Sequence, residues 1–324
     1  MTVLVTGGAG YIGSHTVKLL MQNNIDVVVL DNLSRGHVEA VPAGVPFEKV
    51  GLLNYQELLN ALKKYEIDSV IHFAAFTYVG ESVEKPFIYY QNNVVGTFNL
   101  LNAMRELNIK NIVFSSTCSV YGNPEQVPIS EFESTKPINP YAETKLIIEH
   151  ILRDYETAYG FKYIALRYFN AAGADPKGLI GESHDPEPHL IPLILRTALG
   201  LRSSISVFGT DYETNDGTCI RDYIHVNDLA NAHYLALKYL KANQVSQIIN
   251  LGTGKGNSVL EVIKKAEEVT GRKIQIDLAE RRAGDPAVLV ADNKKAKEVI
   301  GWQPVYSIDD VLTHAWKWHS NPKY

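Results

Sequence analysis

The run Thr2-Val3-Leu4-Val5-Thr6-Gly7-Gly8-Ala9-Gly10-Tyr11-Ile12-Gly13 carries the most structural information in the chain. A β-branched apolar segment passes directly into glycines at 7, 10 and 13, and an amphipathic segment, Ile12–Gln22, follows. Strand, glycine turn and helix in that order suit a dinucleotide. Glycines permit the tight turn and let the backbone approach a pyrophosphate, which then sits at a helix N-terminus. The G-x-x-G-x-x-G spacing is slightly wider than the strict dinucleotide fingerprint. Asp31 closes a second apolar run, Asp26–Leu30, eighteen positions after Gly13. A carboxylate there bonds an adenosine ribose and repels a 2′-phosphate, so NAD is expected rather than NADP. Arg35 argues the other way, since a nearby arginine can accept that phosphate. Asp31 outranks it by standing at the strand end.

Beyond this unit, short β-branched runs alternate with longer amphipathic ones, the rhythm of parallel strands with crossover helices. Strands are expected at Thr2–Thr6, Asp26–Leu30, Ser69–Phe73, Asn111–Ser115 and Lys162–Arg167. Helices are expected at Ile12–Gln22, Tyr55–Tyr65, Phe87–Leu107 and Pro140–Tyr159. Strands this apolar are buried on both faces. The expected fold is α/β, a doubly wound parallel sheet (Rossmann) with a smaller C-terminal α/β substrate domain. The rhythm breaks near Asn170, where Asn170–Pro188, rich in Gly, Asp and Pro, reads as a long loop that covers or binds something. Residues 1–169 therefore form the dinucleotide unit and 170–324 the substrate unit, with segments near 224–251 returning to the first. Later candidates are Ile205–Phe208, Ile224–Val226, Asn227–Lys241, Gln247–Leu251, Ser258–Thr270, Lys273–Asp277 and Ile308–Trp318.

A second motif supplies proton chemistry. Tyr141 and Lys145 are four apart, on one helix face, and an ammonium beside a phenol lowers its pKa toward that of a usable base. Tyr234 and Lys238 share the spacing but lie in an ordinary amphipathic segment and read as packing. Tyr141 differs in its company: Asn139-Pro140 starts its helix sharply, and a strand ends upstream in Ser115-Ser116-Thr117. Strand C-terminal ends meet at the ligand crevice of a doubly wound sheet, so Thr117 can bond the same substrate oxygen. Gly252-Thr253-Gly254-Lys255-Gly256 also follows a strand, but it has neither phosphate-loop nor dinucleotide spacing and reads as structural.

With 324 residues, 45% of them hydrophobic, the chain buries a large core; its net charge of −5 argues against a nucleic-acid surface. Cys118 and Cys219 are the only cysteines, too few for a disulfide framework, and no Cys/His cluster has zinc-ligand spacing, so no metal is expected. The first residues enter a strand without a leader, and no apolar run reaches membrane-span length. A cytoplasmic protein without membrane contacts is the expectation.

These residues resemble the extended short-chain dehydrogenase/reductase family over essentially the whole chain. The resemblance is most specific at Gly7–Gly13, His72–Ala75, Ser115–Gly122, Asn139–Lys145, Leu166–Asn170, Gly217–Asp228 and Arg281–Asp285. It implies that Tyr141 is the base, Lys145 its partner and ribose anchor, and Thr117 the hydroxyl that steers the substrate oxygen. Around NAD it places Gly7, Gly10, Tyr11, Ile12, Gly13, Asp31, Asn32, Leu33, Ser34, Arg35, Gly36, Gly51, Leu52, Phe73, Ala74, Ala75, Thr77, Asn92, Ser115 and Phe169. Around a UDP-hexose it places Asn170, His189, Leu190, Val207, Phe208, Arg221, Tyr223, Arg282, Asp285 and Leu289. Arg221 and Arg282 suit a diphosphate clamp and Phe208 a stacked uracil. Three positions depart from the family pattern: Gly51 replaces an acidic residue, Thr77 a lysine and His189 an asparagine, though His189 remains a donor.

The implied reaction is reversible inversion at C4 of UDP-glucose and UDP-galactose, by a hydride lent to tightly held NAD and returned to the opposite face of a 4-keto sugar. UDP-GlcNAc stays open as a substrate, since Leu289 borders the sugar's 2-substituent. A 4,6-dehydratase or a pentose 4-epimerase is the alternative. Dehydratases carry carboxylates just after the strand-end threonine, and Cys118-Ser119-Val120-Tyr121 offers none. A non-catalytic NAD-binding protein is disfavoured because Tyr141 and Lys145 are both intact. The resemblance also implies a homodimer joined through Phe87–Leu107 and Pro140–Tyr159.

Overall fold

The computed structural model describes residues 1–282 and 285–324. Ala283 and Gly284, inside the Arg281–Asp285 motif, lie outside the described residues. A seven-stranded sheet forms the centre, built from β1 (Thr2–Thr6), β2 (Asp26–Leu30), β3 (Phe47–Glu48), β4 (Ile67–His72), β5 (Asn111–Thr117), β6 (Lys162–Tyr168) and the strand Gln247–Leu251. All pair in parallel, in the order Gln247–Leu251, β6, β5, β4, β1, β2, β3. The late strand thus joins the sheet of the first half.

Alternation along each strand explains why both faces are apolar. Val3, Val5, Val27, Val29, Ile164 and Leu166 point into one core layer; Leu4, Val28, Leu30, Ile112, Phe114 and Ala165 point into the other. A strand covered on both sides cannot slip by one residue without exchanging its two layers, so the register is firmly set. Helix α1 (Tyr11–Gln22) and the Val226–Asn243 helix cover one face; the Tyr55–Leu62, Gly96–Glu106 and Pro140–Tyr159 helices cover the other.

Because β1 neighbours both β2 and β4, the chain winds outward in opposite directions from that pair. The crevice this reversal opens, outside the strand C-termini, is where such sheets take ligands. Thr6, His72, Thr117 and Tyr168 all end strands there. The Pro140–Tyr159 helix is keyed to β6 by a buried fork: Arg167 donates from Nε to Glu149 Oε1 (3.0 Å) and from Nη2 to Oε2 (2.5 Å). This two-point bond holds the helix face that carries Tyr141 and Lys145 at a defined rotation.

A third apolar cluster, with Ile194, Leu195, Val207, Tyr223, Val262, Ile263, Val311 and Leu312, sits under the second half. Short strand pairs line it: Tyr223–His225 with Asn170–Ala172, Ile276–Ala279 with Ile205–Phe208, and Ile220–Arg221 between Asn257–Ser258 and Val288–Leu289.

Several expectations are corrected. The continuous Phe87–Leu107 helix is three pieces: Pro86–Tyr89, a π-helical turn at Tyr90–Val95, and Gly96–Glu106. Asn93 accounts for the wide turn; fully buried, it accepts from Phe76 N–H (2.8 Å) and donates to Phe76 O and Thr144 Oγ1 (3.0 Å each). The helix Leu190–Ala198 follows the expected loop in a stretch for which no element was expected; Pro192 falls in its first turn, where the missing amide costs nothing. The Asn170–Pro188 stretch is irregular only after a three-residue strand, and the Lys273–Asp277 strand shifts to Ile276–Ala279.

His72 ends β4 fully enclosed, with Nδ1 2.6 Å from Thr6 Oγ1 and Nε2 2.8 Å from Thr97 Oγ1. Burial, reinforced by the nearby Lys145 charge, lowers its pKa to about 3. The folded state then holds it neutral while the unfolded chain protonates it below about 6.5, so stability falls as pH drops from that value toward 3. His72→Gln should flatten the pH dependence of unfolding free energy between pH 6 and 4 by about 1.4 kcal/mol per pH unit in urea titrations.

Candidate active site

The first turn brings backbone against backbone. A Cβ on Gly13 would lie 2.1 Å from Gly7 O, and one on Gly7, itself at φ +73°, 2.6 Å from Ala74 N. No side chain fits at either place. Helix α1 begins at Tyr11 with Gly10 as its cap and no side-chain capping bond, leaving its first amides to a ligand.

The crevice is a cavity of about 370 Å³. Its wall takes in Gly7, Gly10, Tyr11, Ile12 and Gly13; then Asp31, Asn32, Ser34, Arg35 and Gly36; then Gly51, Leu52, Phe73, Ala74, Ala75, Thr77, Asn92, Ser115, Thr117, Tyr141 and Phe169. Asn170, His189, Leu190 and Tyr223 line it from the other side. Leu33 and Lys145 do not reach its surface. Asp31 accepts from Ala9 N–H (3.1 Å) and Leu33 N–H (2.8 Å), and burial raises its pKa against those bonds. Arg35, the residue that argued for a 2′-phosphate, is held by Glu81 (2.9 Å) and lies 4.6 Å over the Tyr78 ring.

Tyr141 and Lys145 are both enclosed, and here one electrostatic expectation fails. Burial pushes the Tyr141 phenol well above its ordinary value, with Tyr168 adding to the rise and the Thr117 hydroxyl opposing it; Lys145 is not among the causes. Lys145 is only 2% exposed and donates to Ser115 O at 2.7 Å, and burial brings its pKa down to about 7. Its Nζ stands 6.0 Å from the Tyr141 ring centre. Each charged form alone is disfavoured in so dry a place. Opposite charges in so dry a place stabilise each other, which is the physical basis on which an ammonium can support a phenolate.

The remaining predicted residues gather beside the cavity rather than on its wall. Arg282 lies over the Phe208 ring at 3.9 Å, and Arg221 approaches Asp285 at 4.0 Å. Leu289 pairs with Arg221 in register, and Val207 is buried in the same unit. Arg221 is close enough to Cys118, the neighbour of Thr117, for its charge to act on that thiol, which links this group to the cavity end of β5.

The loop at Gly252–Gly256 has its own acceptor: buried Asp222 takes bonds from Thr253 N–H (2.8 Å), Thr253 Oγ1 (2.6 Å) and Gly254 N–H (3.1 Å). Tyr234 and Lys238 form a cation–π contact at 5.4 Å and do not line the cavity.

Tyr78, Glu81, Tyr89, Tyr168, Glu182 and His184 also line the cavity but went unread in the sequence. Tyr168 bonds Ser115 Oγ from the end of β6. Glu182, His184, Glu187 and His189 converge into one cluster, which a search for Cys/His zinc spacing passes over because half its members are carboxylates. The signal was Glu-x-His-x-x-Glu-x-His within eight residues. Burial alone would lower both imidazoles, but the two carboxylates outweigh it and raise His184 to about 9 and His189 to about 10. His189 spends Nδ1 on this cluster, so only Nε2 is left as the donor expected for a substrate.

A glycine turn at a strand crossover, a buried tyrosine and lysine one helical turn apart, and a strand-end threonine around one cavity define a dinucleotide-binding fold of the nicotinamide-enzyme type. The chain belongs to the NAD dependent epimerase/dehydratase family, which residues 3–252 match. It is 54% identical to the UDP-glucose 4-epimerase of Halalkalibacterium halodurans, over 98% of this chain and 96% of that one. The fold matches the UDP-glucose 4-epimerase of Brucella ovis in complex with NAD at TM-score 0.95, with 51% identity over 97% of each chain. It matches the Bifidobacterium longum enzyme in complex with NAD+ and UDP at TM-score 0.95, with 39% identity over 99% of each.

Gly13→Ala should leave the sheet intact but reduce co-purifying NAD by about ten-fold or more, equivalent to ~1.4 kcal/mol of binding. Absorbance of the cofactor released on denaturation measures it.

Proposed function

We propose that this chain is an NAD-dependent isomerase that interconverts UDP-glucose and UDP-galactose by inverting C4. The observation that carries the reading is the meeting of Tyr141 and Thr117 on the cavity wall, at the C-terminal end of the sheet, with no carboxylate following Thr117. Bound NAD supplies the hydride acceptor for the sugar C4. Gly7, Gly10 and Gly13 and the free amides of α1 hold its diphosphate, and Asp31 faces its adenosine ribose.

The chain's own part is proton transfer and orientation. Tyr141 Oη accepts the proton of the 4-hydroxyl, and Thr117 bonds the same oxygen. Lys145, fixed through Ser115 O, supplies the charge that makes the phenolate affordable. The 4-keto sugar then turns about its link to the diphosphate and offers the opposite face of C4 to the cofactor for return of the hydride, while Tyr141 Oη returns the proton to the C4 oxygen. Such a turn needs a firmly held nucleotide and a loosely held hexose. Arg221, Arg282 and Phe208 provide the grip, with Asn170, His189, Leu190, Val207, Tyr223, Asp285 and Leu289 around them.

Water elimination, the dehydratase course, needs an acid for a leaving hydroxyl. Cys118 stands where that acid would be, and burial pushes its thiol up to about 12. Epimerisation requires no such group.

The proposal extends to a homodimer in the cytoplasm. Phe87 is 69% exposed and Phe98 44%, with Val83, Val95 and Tyr159 also open, an apolar face along the helices expected to pair. No helix among the described residues is long and apolar enough to cross a membrane.

Tyr141→Phe should lower turnover of UDP-galactose by about 10³-fold with NAD content unchanged, the loss expected of a missing general base; near-normal turnover would remove the assignment. Sedimentation equilibrium at micromolar concentration should give twice the 36.1 kDa chain mass.

A further inference from the structure

Proton transfer and nucleotide binding leave one constellation unused except for the outward Nε2 of His189. Glu182, His184, Glu187 and His189 contribute four ligand-type atoms that all lie within 4.8 Å of one another. His189 Nδ1 is 2.7 Å from Glu182 Oε1 and 2.9 Å from Glu187 Oε1. His184 Nδ1 is 3.2 Å from Glu182 Oε1 and 3.6 Å from Glu187 Oε2. Ligands held about 2.0–2.2 Å from a tetrahedral ion stand roughly 3.3–3.6 Å from each other; the four imidazole–carboxylate contacts span 2.7–3.6 Å, with Glu187 turning a different oxygen to each histidine.

Hydrogen bonding does not exhaust the cluster. His184 Nδ1 and Glu187 Oε2 are buried without a hydrogen-bond partner. The Glu187 side chain is 0% exposed, and its orphan oxygen faces His184. A buried acceptor without a well-directed donor is costly, and a cation removes that cost where the nearest donor, His184 Nδ1, stands off at 3.6 Å.

We propose that Glu182, His184, Glu187 and His189 form a tetrahedral site for a divalent first-row transition ion, zinc by its ligand number and donor set. Two imidazole nitrogens and two carboxylate oxygens suit zinc; magnesium and calcium prefer larger all-oxygen sets. The two carboxylates balance the dication, and binding displaces the Nδ1 protons of both histidines. Four protein ligands close the coordination sphere, so the ion is structural.

Its position says what it secures. Tyr11 and Tyr78 meet the His184 ring edge-on, at 6.4 and 5.8 Å between centroids. Trp318 Nε1 donates to Glu182 O at 2.9 Å, and Tyr11 Oη donates to Gly173 O at 2.6 Å. The ion would clip the 182–189 loop between the terminal helix and the first turn of α1, over the nucleotide cavity.

The test uses the full chain, stripped with chelator, given one equivalent of zinc in excess magnesium, and desalted. Elemental analysis should find about one zinc per chain, and cobalt in its place should show the intense visible bands of a tetrahedral ion. His184→Gln and Glu187→Gln should each drop zinc below about a tenth of an equivalent. His150→Ala, on an exposed helix position, should keep the full equivalent. Zinc absent from the wild type, retained by both ligand variants, or lost equally from His150→Ala overturns the site. If a ligand variant fails to fold, wild-type stoichiometry and the cobalt spectrum decide, and an octahedral spectrum is a negative result.

Discussion

Close approach of backbone to backbone at the first turn governs the rest of this molecule. Gly13 packs on Gly7, and Gly7 packs on the chain leaving β4, at distances that admit no Cβ. That contact sets the start of α1 directly above the point where the sheet reverses its winding. Uncapped helix amides and the strand ends Thr6, His72, Thr117 and Tyr168 therefore open onto one crevice. A larger residue at either glycine would separate helix from sheet and dissolve the cavity's geometry before any chemistry was reached.

Within that crevice, burial sets the acid–base behaviour. Tyr141 and Lys145 are each driven toward neutrality by loss of water, and the protein itself offers no charge strong enough to restore the phenolate alone. Both side chains stand on the Pro140–Tyr159 helix, so their placement depends on the rotation of that one helix. The Arg167–Glu149 fork, one turn beyond Lys145, fixes that rotation from a neighbouring strand. A buried ion pair of this kind adds little net stability but specifies orientation.

The second half supplies one wall of the crevice. Asn170–Ala172 and Tyr223–His225 pair to carry the sheet's end into the smaller core, so Asn170 and Tyr223, which line the cavity, stand on three-residue strands. Asp222 illustrates how these loops are held: one buried carboxylate gathers the amides of Thr253, Gly254 and Ala291. The same carboxylate explains why a glycine-rich loop after a strand can be free of any phosphate role.

The local pattern alone determined the parallel sheet, the glycine turn and the Tyr141–Lys145 spacing. Period-two and helical repeats, and glycine's lack of a Cβ, are properties of contiguous residues. Tertiary structure decided three other things. The π turn at Tyr90–Val95 depends on Asn93 finding partners at Phe76 and Thr144, far away in sequence. The direction of the Tyr141 and Lys145 pKa shifts depends on how much water the whole fold excludes. The junction of Glu182 and His184 with Glu187 and His189 depends on a loop path that no periodicity encodes. Each is a long-range effect: a bond, a dielectric or a chain path created only when distant segments pack together.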